Sequence, residues 1–259
     1  MGNDDNKSSN LTLITFLQVY LRSFFSQGSF STKYRQNMGF AFCIEPVGRK
    51  LWEDPESRRI FLLRHMEDYN GNPFMIPLVL GAVAKLEEML RYKKGITESD
   101  IAQFKKAVGP ATGSVGDRFI WGTLRPFAIV LGIFTALFHG VWGSLVFLAV
   151  FNIPLFVLKW HWLMTGYRLG TDIVIEIRNQ RINTVVKVME SLGASLIAFI
   201  ATITILVPES TLSLVSGVTV GFFVLSIFII KRYLNLSVAF LMSLGFSVVL
   251  GIVMSLVSL

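Results

Sequence analysis

From Leu11 to Ser26 the polar residues Thr12, Thr15, Gln18, Arg22 and Ser26 recur every three or four positions among Leu, Ile, Val and Phe. That period predicts an amphipathic helix, lying on a membrane surface or packed on another helix. Gln27-Gly28-Ser29 ends it. Asp54-Pro55-Glu56 supplies a cap, a first-turn proline and an early carboxylate, so a helix is expected from Pro55 to about Tyr69. Asn70-Gly71 stops it, and Asn72-Pro73 offers a new cap for an apolar helix running to Ala84, loosened at Pro77 and Gly81. With 11 residues from Phe74 to Ala84, this stretch is too short to cross a bilayer, which takes about 20. It suits a core helix or a re-entrant segment. Thr97-Glu98-Ser99-Asp100 resembles a capping box and opens a further helix, closed by Gly109-Pro110. Gly109 to Asp117 contains four glycines or prolines in nine residues, which predicts a loop.

The back of the chain reads differently. Phe127 to Leu158 holds 32 residues without Asp, Glu, Lys or Arg, which predicts a membrane hairpin turning near His139-Gly140-Val141-Trp142-Gly143. Gly193 to Val207, Thr211 to Ile230 and Leu234 to Leu259 are three more uncharged stretches, of 15, 20 and 26 residues. Lys159-Trp160-His161-Trp162 has the aromatic and cationic mixture of a headgroup belt, and Lys159 to Lys187 reads as a loop. The expected fold is an all-α integral membrane protein, with amphipathic or re-entrant helices in the N-terminal half and transmembrane helices in the C-terminal half. Its regions are a disordered tail at 1–10, an N-terminal helical region at 11–126 and a transmembrane region at 127–259.

Composition sharpens this picture. Over 259 residues the chain is 53% hydrophobic and only 16% charged, which excludes a plain water-soluble enzyme. Of its 24 basic residues 17 precede Phe127, as do 13 of its 17 acidic ones. The net charge of +7 comes without any basic run longer than two residues, which suits anionic lipid headgroups and excludes nucleic acid as a partner. The basic regions fall on one side if the N terminus is cytoplasmic and the C terminus extracytoplasmic. Cys43 stands alone, so no internal disulfide forms, and His65, His139 and His161 lack metal-ligand spacing. No metal or cofactor is expected.

Chemistry concentrates at Arg64-His65-Met66-Glu67-Asp68-Tyr69-Asn70-Gly71-Asn72-Pro73, where carboxylates, carboxamides and a helix start adjoin an apolar segment. Alternating donors and acceptors of this kind suit sugar hydroxyls, and Tyr69 can cover a sugar's C–H face. In the competing reading Glu67 and Asp68 pair with nearby arginines while Asn70 and Asn72 merely cap. Gln27, Glu67, Asn70, Asn72 and Asp117 are the candidate substrate-binding residues. No catalytic residue is expected, the histidines reading as structural.

The strings Arg22-Ser23, Gln27-Gly28-Ser29-Phe30, Asn37-Met38-Gly39-Phe40, His65-Met66-Glu67 with Asn70 and Pro73, and Leu86-Glu87-Glu88 follow one another in order. Gly109-Pro110, Val115-Gly116-Asp117 with Trp121-Gly122-Thr123-Leu124-Arg125-Pro126, and Gly166-Tyr167 with Gly170 and Asp172-Ile173-Val174 continue the series. Together they resemble the IID membrane subunit of mannose-family sugar phosphotransferase systems (PTS), although the Gly109 to Asp117 string is one residue longer here. The resemblance implies a multi-pass subunit of the bacterial cytoplasmic membrane. It implies pairing with a IIC subunit to form the sugar pathway, in a higher oligomer of IIC–IID pairs. Soluble IIA and IIB partners would carry the phosphohistidines, so this chain would be no enzyme by itself. Two other readings stay open: a membrane-embedded enzyme using Glu67, Asp68 or Asp117 as acid and base, and a structural membrane partner.

Overall fold

The computed structural model describes residues 11–178 and 181–206, and the single positions 245 and 249. Apart from those two positions, the uncharged stretches Thr211 to Ile230 and Leu234 to Leu259, the linkers flanking them and the 1–10 tail lie outside the described residues. Among the described residues the structure is helical, with only isolated bridges joining Ser31 to Arg35 and Arg35 to Tyr69.

The chain forms two compact units. The first comprises Met1–Arg118 with Pro154–Asn179. Helix α1 (Leu13–Arg22) starts on the Thr12 side chain and tightens into a 3-10 turn at Ser23–Phe25, as its sequence period predicts. It lies against α2 (Asn37–Leu51), where Gly39 lets the Ser26 backbone come into contact and Arg22 pairs with Glu45 at 2.8 Å. Helix α3 (Pro55–His65) opens on Asp54, which accepts from the Ser57 backbone N–H at 2.8 Å. It ends at His65, four residues short of the expected Tyr69. Helix α4 (Ile76–Arg91) is the centre of this unit, buried on nearly every face from Ile76 to Glu88. A helix apolar all round needs such cover. Its start is later than expected: Asn72 and Pro73 lie in a turn before it, and Pro77 is its first-turn proline rather than a kink.

The region Gly109 to Asp117 is a helix and not a loop. Helix α5 (Glu98–Gly116) opens on the Thr97–Asp100 capping box and runs through Gly109 and Pro110 without a break. Gly109, Thr112, Gly113 and Gly116 recur at helical spacing and form one face, against which the backbone of Asn70 and Gly71 and the side chains of Tyr69 and Asn72 lie. Gly116 is tightest, since a Cβ added there would stand 2.5 Å from the Asn72 side chain. Glycine weakens a helix by about 1 kcal/mol per residue relative to alanine, and the close approach of a second backbone offsets that. The Thr112 hydroxyl also donates to the Val108 and Gly109 carbonyls, both at 2.9 Å, next to the proline.

A π-type segment (Asp117–Leu124) leads into α6 (Arg125–His139), and Gly140, at φ +56°, turns the chain into α7 (Trp142–Leu169). The hairpin therefore turns where the sequence places it. Beyond it, the expected loop from Lys159 is helix: α7 runs on to Leu169, followed by α8 (Ile173–Arg178) and α9 (Arg181–Leu206). Lys159 is no headgroup anchor, being 3% exposed with its Nζ donating to the Ser23 carbonyl at 3.3 Å over the Phe24 ring. An ammonium at the end of α1 complements the helix dipole there. Gly81 of α4 and Gly166 of α7 let those two helices touch backbone to backbone.

The second unit comprises Phe119–Ile153 with Gln180–Leu259. Its described core is α6 on α9, with Leu196 and Phe199 packed against Val130, Leu131 and Phe134. Among the described residues three helical stretches are long and apolar enough to cross a membrane: Glu98–His139, Trp142–Ile175 and Asn183–Ile200. Residues 193–206 of the 15-residue uncharged stretch belong to the longer α9, which begins at Arg181 with charged and polar residues in its first turns.

Candidate functional site

The polar segment 66–72 passes between the start of α2 and the glycine face of α5. Its backbone is held at Met66, Tyr69 and Gly71. The Asn37 carboxamide donates to the Met66 carbonyl at 2.8 Å, and the Gln36 backbone N–H donates to the Tyr69 carbonyl at 3.0 Å. The Gln36 side chain donates to the Gly71 carbonyl at 2.9 Å. Tyr69 turns inward, 2% exposed, with its ring 4.6 Å from that of Phe40, and burial pushes its hydroxyl above the usual range.

Asn72 is 2% exposed and fully engaged. Its Nδ2 donates to Asp117 Oδ1 at 2.7 Å and its Oδ1 accepts from the Phe74 backbone N–H at 2.9 Å. Residues 45 apart in sequence thus meet, placing the exposed Asp117 carboxylate beside the segment that carries Glu67 and Asn70. Glu67, Asp68 and Asn70 are exposed. Gln27 is also exposed, in the turn after α1, and among the described residues nothing bonds it to the Asn72–Asp117 pair. Asn72 closes a turn ahead of α4 and does not cap that helix, whose cap position is Met75 without a side-chain bond, and the neighbouring arginine takes other acids than Glu67 or Asp68.

Those acids are Glu87 and Glu98. Arg64 donates from Nε and Nη2 to the two Glu87 oxygens, both at 2.9 Å, and its Nη1 lies 2.8 Å from Glu98. His65 Nε2 completes the set at 3.0 Å from Glu87 Oε1. The Glu87 and His65 side chains are entirely buried. Burial drives the imidazole pKa down to about 4 against the pull of the Glu87 carboxylate, so His65 is neutral and donates its Nε2 proton. Burial alone would raise the Glu87 pKa, but the bonds from His65 and Arg64 outweigh it and hold the carboxyl below its usual range. Lys105, on α5, donates to the Arg64 carbonyl at 3.2 Å.

This buried cluster escaped the sequence reading because Lys85, Glu87 and Glu88 look like the solvated end of an apolar helix. A signal was there: Glu87 stands four residues after Val83 and seven after Leu80, on the same buried stripe. Among the described residues no cluster of His, Cys, Asp and Glu has the arrangement of a metal centre.

The profile of the PTS system mannose/fructose/sorbose family IID component matches residues 10–258. The chain belongs to that family. This IID chain is 32% identical over 188 residues to the fructose permease IID component of Bacillus subtilis (strain 168), covering 72% of the chain and 68% of the relative. It is 35% identical over 158 residues to the mannose-specific EIID component of Escherichia coli (strain K12), covering 60% of the chain. There it spans just over half of the relative's length, 56%. Among solved structures it is similar to a chain in the cryo-EM structure of the mannose transporter ManYZ with microcin E492, at a TM-score of 0.60 and 30% identity. That likeness covers 72% of this chain and 69% of the other. A second solved membrane protein superposes at a TM-score of 0.66 and 30% identity, covering 73% and 70%. The IID family is one of PTS membrane components, and the all-helical, membrane-length architecture described above agrees with it.

Proposed function

We propose that this IID chain pairs with a IIC subunit in the bacterial cytoplasmic membrane to form the entry pathway for a hexose, which soluble IIA and IIB partners phosphorylate on arrival. The observation that carries this reading is the match of residues 10–258 to the family profile. The chain has no phosphoryl-transfer site of its own in this reading. The full burial of His65 and the engagement of its Nε2 by Glu87 support that, since a phosphoryl acceptor needs an accessible nitrogen. Glu67, Asn70 and Asp117 meet the sugar hydroxyls, Asn72 orients Asp117, and Gln27 contributes from the turn after α1. The N terminus is cytoplasmic and the C terminus extracytoplasmic, which the skewed basic residues support.

The test is uptake and phosphorylation of hexoses by membranes carrying this chain with its IIC, IIA and IIB partners. Uptake should need the chain, and uptake without it overturns the reading. Glu67→Gln and Asn70→Ala should each weaken uptake at low sugar concentration with the complex intact, by about 0.5 to 1.5 kcal/mol for a neutral bond and more for the charged acceptor. Unchanged uptake, or loss accounted for by missing complex, removes these residues from the site.

A further inference from the structure

Gln36 holds the chain on both sides of Asn70. Its backbone N–H donates to the Tyr69 carbonyl at 3.0 Å and its side-chain Nε2 to the Gly71 carbonyl at 2.9 Å. With the carbonyls before and after it fixed, Asn70 loses most of its freedom to swing about its own backbone. From the opposite side Gly109 leaves room for the Asn70 carbonyl, since a Cβ there would stand 2.8 Å from it. Asn70 is thereby pinned from α5 and from the start of α2, while its own side chain stays exposed. Gln36 is itself 2% exposed, so these bonds are shielded from water. Gln36 also opens the string Gln36-Asn37-Met38-Gly39-Phe40, and the following residues serve the same segment. Asn37 holds the Met66 carbonyl, and the Phe40 ring packs at a tilt against that of Tyr69.

We propose that Gln36 is a positioning residue for sugar recognition: it presents the Asn70 carboxamide to the substrate by clamping the carbonyls on either side of it. The proposal rests on the sugar-site reading of Asn70 given above. Gln36 does not touch the sugar. Its two bonds go to backbone groups, so it acts on whatever hydroxyl pattern Asn70 reads and sets how sharply that pattern is read. A preorganised donor binds better because less freedom is lost on binding.

The test uses the assembled complex in membranes with its soluble partners. Gln36→Met removes the side-chain donor at nearly constant size and keeps the backbone bond to Tyr69, and Gln36→Glu turns an acceptor toward the Gly71 carbonyl. Each should raise the half-saturating sugar concentration roughly 2- to 10-fold, the scale of one hydrogen bond, with maximal uptake per assembled complex unchanged. Asn70→Ala is measured in parallel, and the Gln36→Met/Asn70→Ala double variant should be no worse than Asn70→Ala alone. If Asn70→Ala raises the half-saturating concentration and Gln36→Met does not, the clamp is refuted and the sugar site stands. If Gln36→Met only lowers the amount of complex, its role is structural and the proposal fails. If Asn70→Ala changes nothing, the sugar-site reading falls and the clamp falls with it.

Discussion

Replacing Glu87 by glutamine tests whether the buried cluster holds the first unit together. The Glu87 carboxylate accepts from Arg64 Nε and Nη2 at 2.9 Å and from His65 Nε2 at 3.0 Å, with no exposure to water. A glutamine keeps one oxygen, which can serve Arg64 Nε and His65, but sets an NH₂ against Arg64 Nη2, donor facing donor. Removing one partner of a buried pair costs about 3–5 kcal/mol, because the remaining charge is left uncompensated. Glu98 stays beside Arg64 Nη1 at 2.8 Å, but its side chain is 61% exposed and water weakens that pair. The loss should therefore fall near the lower end of the range, about 3 kcal/mol. For a cooperative unit of this size that lowers Tm by roughly 6–12 °C. The assay is thermal unfolding of the detergent-purified complex followed by tryptophan fluorescence. An Arg64→Met/Glu87→Leu double variant, which buries no lone charge, should melt above Glu87→Gln. A fall in Tm under 2 °C, or a double variant that melts below the single, refutes the argument.

Two further outcomes follow from the same packing. Unfolded His65 takes up a proton near pH 6.5 and the folded residue only near 4, so the unfolded state binds it first as pH falls. Stability from this residue is full above pH 6.5 and declines by about 3 kcal/mol on the way down to about 4. Glu87 is lost in the same direction but below its ordinary carboxyl range, so a His65→Gln variant should flatten the Tm profile between pH 6.5 and 4 specifically. An unchanged slope contradicts this. Gly166→Ala should destabilise by about 1–3 kcal/mol, because its Cβ would run into the Leu78 backbone, which cannot yield as a side chain can. Gly193→Ala serves as the control: among the described residues its Cβ meets only Phe127 Cδ2, at 3.8 Å, so the change should be neutral or stabilising by up to about 1 kcal/mol in the same melting assay.

Local signals carried much of the architecture. The period of three to four in Leu11 to Ser26, the Asp54 and Thr97 caps and the Gly140 turn are decided within a few residues of backbone. The uncharged runs are decided by the cost of placing charge in lipid, which needs no partner to be known. The family, too, was legible, because its strings lie in order along the chain. What local reading missed was every feature set by a distant neighbour. Four glycines and prolines in nine residues signal a loop in isolation, but the three glycines form a helix face that receives residues 69–72, more than 35 positions away. Lys159 reads as a headgroup anchor by its aromatic neighbours and is buried instead by the end of α1, 136 residues earlier. The candidate site divides in the same way. Asn72 was found as a polar residue at a helix start, but only folding shows that its carboxamide is used up on Asp117 and Phe74. Gln36 carried no signal of its own, since a glutamine before a helix looks solvated until the carbonyls of Tyr69 and Gly71 arrive beside it. Short-range geometry and hydrophobicity are written in consecutive residues; the partners of a buried polar group exist only once the chain has closed around it.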